Sequence, residues 1–295
     1  MLPTRMGGLP GSHGHPASMR FAATPQPGVL CLIRGCVHLG AVFDSGMANP
    51  SVTLTDITID QKPDGASAVL RGVLGTPAGS GPWPAVVVVH EVFGIEEQMR
   101  RQVAHLASLG YLAVMPDLYS DGGARRCLVA TMKAMRSGTG RAYLDIEAAR
   151  QWVRARPEAN GAVGVIGFCM GGGFALMTAS SGFDAAASNY GILPQDPDDA
   201  LDQACPVIGS YGATDSSLKG AAATLEKTLT RQNIVHDIKE YPNAGHAFMN
   251  EGPAGPVWFR PLARVMKMGP NPDAAADAWQ RVDAFFREHL QPSKP

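Results

Sequence analysis

The stretch Gly167-Phe168-Cys169-Met170-Gly171 constrains this chain more than any other part of it. It follows the apolar run Ala162-Val163-Gly164-Val165-Ile166 and precedes the small-residue run Gly172-Gly173-Phe174-Ala175-Leu176. The first run reads as a buried strand and the second as a helix. Glycines two positions before and after Cys169 let the backbone turn sharply between the two, which holds the cysteine side chain out at the apex. A thiol loses its proton at about pH 8.5 in water, and a helix N-terminus beneath it favours the anion further. The pattern therefore points to a reactive thiol. The alternative is a small apolar residue of the core, as free cysteines commonly are.

With 295 residues the chain is long enough for one large domain with a substantial core. Its 25 basic and 26 acidic side chains balance, so bulk electrostatics favours neither nucleic acid nor an anionic membrane surface. The expected partner is a small molecule. Cys31, Cys36, Cys127, Cys169 and Cys205 form no C-x-x-C pair and no regular spacing, which argues against a disulfide framework and against a zinc site or other metal centre. A reducing cytoplasm fits such a set. Residues 1–46 are punctuated by Pro3, Gly7, Gly8, Pro10, Gly11, Gly14, Pro16, Pro25 and Pro27 without an amphipathic period, and they read as a disordered extension ahead of one domain over 47–295. The apolar stretch Val29-Leu30-Cys31-Leu32-Ile33 is interrupted by Arg34 and His38 and has no small-residue cleavage site after it, so no secretory signal is expected. Met47 reads as the start of the functional chain.

Polar and apolar residues alternate over 52–59 and again over 67–73, either side of a turn with Pro63, Asp64 and Gly65, which predicts an antiparallel hairpin at a sheet edge. Continuous apolar strands are expected over 84–90 and 111–116, with a helix over 96–109 between them. A further helix over 140–155 leads into the strand before Cys169. Strands near 185–190, 205–211 and 235–241 follow, with helices over 218–232 and 274–290. Alternating strands and helices, with strands apolar on both faces, predict an α/β fold whose central sheet is mostly parallel and carries helices on both faces. Catalytic groups then belong on loops at the carboxyl edge of the strands.

Two of those loops carry suitable groups. Asp215 follows Tyr211-Gly212-Ala213-Thr214, and His246 lies in Asn243-Ala244-Gly245-His246-Ala247-Phe248. In the order nucleophile, acid, histidine, the imidazole shuttles a proton for the thiol while the carboxylate fixes its tautomer. Asp215 alone also suits a helix N-cap, and His246 alone a surface loop. Glu91, in His90-Glu91-Val92-Phe93-Gly94 after the long buried strand, is read as a second base competing for the Cys169 proton, or else as a solvated loop acid or cap. The backbone amides of Val92 and Met170 are the expected oxyanion hole. His90, His105 and His236 are read as structural.

With Glu91, Cys169, Asp215 and His246 assembled, the sequence from about Val52 to Leu290 resembles the dienelactone hydrolase family of α/β-hydrolases. The resemblance rests on His90-Glu91-Val92-Phe93-Gly94, Met115-Pro116-Asp117-Leu118-Tyr119, Gly167-Phe168-Cys169-Met170-Gly171-Gly172 and Gly245-His246-Ala247-Phe248. It implies a cytoplasmic hydrolase without cofactors that opens the lactone ring of dienelactone in aromatic catabolism. It also implies that the glutamate at Glu91 draws the proton from the thiol, that the thiolate attacks the lactone carbonyl, and that His246 helps resolve a thioester acyl-enzyme. A monomer or homodimer is expected. Phe93, Tyr119, Arg125, Arg126, Tyr190, Phe248 and Asn250 are the expected substrate contacts. Members of that family clamp a substrate carboxylate with arginines, one of them four positions after the histidine. Asn250 stands there in this chain, which implies uncharged lactones or esters as an alternative substrate class and a broad carboxylesterase as an alternative function. A non-catalytic, redox-sensing role for Cys169 is the reading from a different class. The segment 253–270, with Trp258, Phe259 and Met266, is read as a lid over the pocket or as surface packing.

Overall fold

In the computed structural model, residues 52–252, 257, 261, 263 and 267–292 are described. The extension read over 1–46 lies outside them, as does most of the segment read as a lid. Thr53–Ile59 (β1) and Leu70–Thr76 (β2) form the expected antiparallel edge pair, closed by Ile59 opposite Leu70, both without exposed surface. The apolar run becomes Trp83–Val89 (β3), and Glu97–Ser108 (α1) turns its Met99, Val103 and Leu106 inward before the chain re-enters the sheet as Leu112–Pro116 (β4).

Next come two helices, Ala124–Ser137 (α2) and Arg141–Arg154 (α3), and then Ala159–Phe168 (β5), Met170–Met177 (α4) and Ala185–Asn189 (β6). A four-residue helix, Pro197–Ala200 (α5), precedes Val207–Gly212 (β7). Ala221–Arg231 (α6), His236–Tyr241 (β8) and Pro272–His289 (α7) complete the elements. The eight strands lie in the order β1-β2-β4-β3-β5-β6-β7-β8. β2 pairs antiparallel with β1 and β4, and every other neighbouring pair is parallel.

Every residue of β4 and of β6 is buried. Side chains alternate between the faces of a strand, so both faces of the sheet are covered by helices. The fold is that of an α/β-hydrolase. Two departures from the sequence reading have local causes. The sequence pattern over 124–137 predicts no element, because its inward-facing residues are small or mildly polar, yet the segment is helical. The helix read over 218–232 is instead a 3-10 turn, Ser216–Leu218, followed by α6, because Gly220 between them takes the left-handed conformation at φ 77°. Among the described residues no helix is long and apolar enough to cross a membrane.

The parallel strands β3, β5, β6, β7 and β8 all point the same way. The residues just past their ends, Glu91, Cys169, Tyr190, Asp215 and His246, therefore gather at one edge of the sheet.

Candidate active site

Cys169 joins β5 to α4 with φ 55° and ψ −116°, a conformation that L residues with a β-carbon rarely take. Its N–H donates to the Asn189 carbonyl at 3.1 Å, and its carbonyl accepts from the Gly172 N–H at 3.0 Å, so β6 and α4 both hold the turn. The flanking glycines permit it. A β-carbon at Gly167 would run into the Gly171 carbonyl, and one at Gly171 would run into the Val89 carbonyl at the end of β3. The first turn of α4 thus lies backbone to backbone on β3. The thiol itself is half-buried.

His246 and Asp215 come from adjacent loops tied together by Thr214, whose N–H and hydroxyl both donate to the Ala244 carbonyl, at 3.0 and 2.8 Å. Asp215 Oδ2 lies 2.6 Å from His246 Nδ1, while Asp215 Oδ1 accepts from the Ser217 N–H at 3.0 Å. The cap and the histidine partner, alternatives in sequence, are thus served by one carboxylate with an oxygen each. Burial opposes the charge on Asp215, but the hydrogen bonds from His246 and Ser217 outweigh it and hold the carboxyl below its ordinary range. Burial likewise opposes the imidazolium. The bond to Asp215, and then the hydrogen bond and charge of Cys169, win, and His246 is raised to about 10.

Glu91 is also buried, and its hydrogen bonds go to neutral groups. Asn250 Nδ2 donates to its two oxygens at 3.3 and 3.4 Å, and the Tyr190 hydroxyl lies 3.4 Å from Oε1 and 3.5 Å from Asn250 Oδ1. Burial pushes the Glu91 carboxyl above its ordinary range, against the charge of His246 and the bonds from Asn250 and Tyr190. The Tyr190 ring lies 5.2 Å from the His246 ring and 5.5 Å from that of Phe248, which has no exposed surface.

Cys169, His246, Asp215, Glu91, Asn250 and Tyr190 therefore form one connected network. Phe93 and Val92 are half-buried in the loop after Glu91. Met170 opens α4, so its N–H has no acceptor within the helix. Tyr119 is buried and donates to the Val92 carbonyl at 2.9 Å. Arg125 and Arg126 sit exposed on the first turn of α2, outside the network. Thr214 and Ser217 hold Asp215 and His246 in position, and their placement just before and after the acid is the only sequence signal for them. Cys127, Cys169 and Cys205 are free, and among the described residues no group of three or more His, Cys, Asp or Glu side chains is arranged to hold a metal ion.

A model of the dienelactone hydrolase family matches residues 70–290, from the second strand to the end of the last helix. The chain belongs to the dienelactone hydrolase family. As a member it is a hydrolase of the carboxymethylenebutenolidase kind. It is 30% identical over 200 residues to the carboxymethylenebutenolidase of Pseudomonas putida, a match that covers 63% of this chain and 83% of that protein. A solved structure of a candidate dienelactone hydrolase from Klebsiella pneumoniae superposes with a TM-score of 0.66 at 26% identity, covering 81% of this chain and 99% of that one. The dienelactone hydrolase of Anabaena variabilis superposes at 0.60 with 20% identity, over 82% of this chain and 100% of that one, a likeness of fold alone.

Proposed function

We propose that this family member hydrolyses small lactones or esters with Cys169 as nucleophile and a thioester acyl-enzyme as intermediate. The observation that carries the reading is the chain of contacts from the half-buried thiol through His246 to Asp215, with the His246 proton held up to about 10. An imidazole fixed through Nδ1 leaves Nε2 for the sulfur. The thiolate adds to the substrate carbonyl carbon, and the oxyanion is received by the Val92 and Met170 amides. The carbon–oxygen bond then breaks, and the leaving oxygen takes the proton from His246. In the second half His246 removes a proton from water, the hydroxide adds to the thioester carbonyl, and the thiolate leaves. Glu91 feels the charge of His246. The protons of the imidazole and of the Glu91 carboxyl are therefore coupled, each held according to the charge of the other.

Asn250 supports a second reading of substrate range, a carboxylesterase acting on uncharged esters, because its amide is spent on Glu91 and brings no positive charge to the site. A panel of dienelactone, neutral lactones and p-nitrophenyl acetate tests both readings, with hydrolysis of at least one class expected. Cys169→Ala is expected to lose turnover on every substrate while keeping the fold, and surviving turnover would eliminate the thiol as nucleophile.

A further inference from the structure

His90 ends the buried β3 run and has no exposed surface. A polar ring so placed must have its nitrogens satisfied, or it carries a desolvation cost. Its Nε2 accepts from the Leu118 N–H at 3.1 Å. A backbone N–H only donates, so Nε2 is bare and the proton sits on Nδ1, which donates to the Glu91 carbonyl at 2.7 Å. Burial pushes the ring below its ordinary value, in keeping with a neutral imidazole. The same Glu91 carbonyl also accepts from the Gly94 N–H at 3.0 Å.

Two donors therefore fix the direction of one peptide group. In a planar trans peptide the N–H points opposite to the carbonyl oxygen. Holding the Glu91 oxygen toward His90 turns the Val92 N–H away from that ring. The following carbonyl, that of Val92, is held by the Tyr119 hydroxyl at 2.9 Å, and this hydroxyl also lies 3.8 Å from Met170 Sδ and within electrostatic reach of Cys169. The loop is thus fixed beside the first turn of α4.

Building on the hydrolase reading above, we propose that His90 is a positioning residue that aims the Val92 N–H into the oxyanion hole. It touches no substrate and moves no proton. Its part is to keep the amide from rotating toward solvent while negative charge develops on the substrate oxygen.

The full chain with His90→Asn or His90→Gln tests this. Asparagine places an amide N–H near the Nδ1 position and keeps the donor to Glu91, whereas glutamine reaches the Nε2 position and loses it. Each variant is assayed for kcat and KM on p-nitrophenyl acetate and for the rate of Cys169 alkylation by iodoacetamide. Alkylation builds no oxyanion, so it reports the thiol and its access alone. Alkylation is followed on the peptide that carries Cys169, and kcat is normalised to the folded fraction read by circular dichroism.

The expected result for His90→Gln is a kcat about 10- to 100-fold lower, with KM and the alkylation rate within about threefold of the original chain, since a misaimed oxyanion donor weakens only the transition state. His90→Asn is expected to keep kcat within about fivefold. Equal losses in both variants, alkylation falling in parallel with kcat, or no loss in His90→Gln would overturn the assignment. Failure of both variants to fold would give His90 a structural role alone and overturn it too. An unaltered chain that hydrolyses no ester sinks the hydrolase reading itself, whereas an active chain with parallel losses sinks only the role of His90.

Discussion

Asp215→Asn removes one charge and almost no volume from the network. In the native arrangement Oδ2 meets His246 Nδ1 at 2.6 Å and Oδ1 accepts from the Ser217 N–H and hydroxyl. Asparagine has one acceptor oxygen, and the two Ser217 donors claim it. Its NH2 then faces His246 Nδ1, which must become the bare nitrogen, and the proton moves to Nε2, the side of the sulfur. The magnitude follows from the raised histidine. Holding its proton to about 10 instead of 6.5 is a difference of 3.5, which at about 1.36 kcal/mol each amounts to roughly 5 kcal/mol, net of burial and shared between Asp215 and Cys169. Losing about half of it, ~2–3 kcal/mol, lowers the melting temperature by roughly 5–10 °C. The wrong tautomer lowers kcat by about 10²- to 10⁴-fold.

The sign with pH is fixed as well. The contribution of His246 is fully present below 6.5, declines above it and is gone past about 10. The contribution of Asp215 is present above 3.8 and is lost as pH falls through its lowered folded value. The melting gap between the two proteins is therefore widest between those limits and closes above pH 10. Steady-state kcat on p-nitrophenyl acetate and thermal melts across pH measure both effects. A variant within about threefold of the native kcat would refute the role given to the carboxylate.

Other outcomes follow from single positions. At φ 55° and ψ −116°, Cys169→Gly is expected to melt above Cys169→Ala, with relief of about 1–3 kcal/mol of backbone strain partly offset by the entropy of glycine; the reverse order in calorimetry would show the turn to be unstrained. Gly171→Ala would press a β-carbon into the Val89 carbonyl, a backbone atom that cannot yield, and should cost more than about 3 kcal/mol; a soluble variant with native melting would contradict the close approach. The folded state holds the Glu91 proton more tightly than the unfolded chain does, so native stability falls as pH rises from 4.5 through the raised folded value. Relative to the native protein, Glu91→Gln should gain in melting temperature over that window, and a gap that stays constant with pH would exclude the burial of an ionisable carboxyl.

The strands were legible because valine and alanine runs without polar interruption admit little else, and the hairpin because its alternation has period two. The helix Ala124–Ser137 was not, and the reason is visible in its buried face. That stripe consists of Cys127, Thr131, Ala134 and Met135, small or mildly polar types that carry a weak periodic signal, while Val129 lies exposed. Gly220 ended one helix and began another inside what reads as a continuous pattern. At the site, residue types and their order nominated Cys169, Asp215, His246 and Glu91, since each follows a recognisable strand. The partners of Glu91 were less legible. Asn250 and Tyr190 lie 159 and 99 positions away, and only the sheet order brings their loops together. His90 reads as one more buried side chain until its two nitrogens are traced.

The most direct test of the account is mass spectrometry on the protein quenched with acid during turnover of p-nitrophenyl acetate, followed by digestion. The prediction is one acetyl group on the peptide that carries Cys169, labile to hydroxylamine as a thioester is, and absent from Cys169→Ala. An acetyl group on another residue, or steady turnover with no acylated peptide at all, would contradict the thiol as the group that forms the acyl-enzyme.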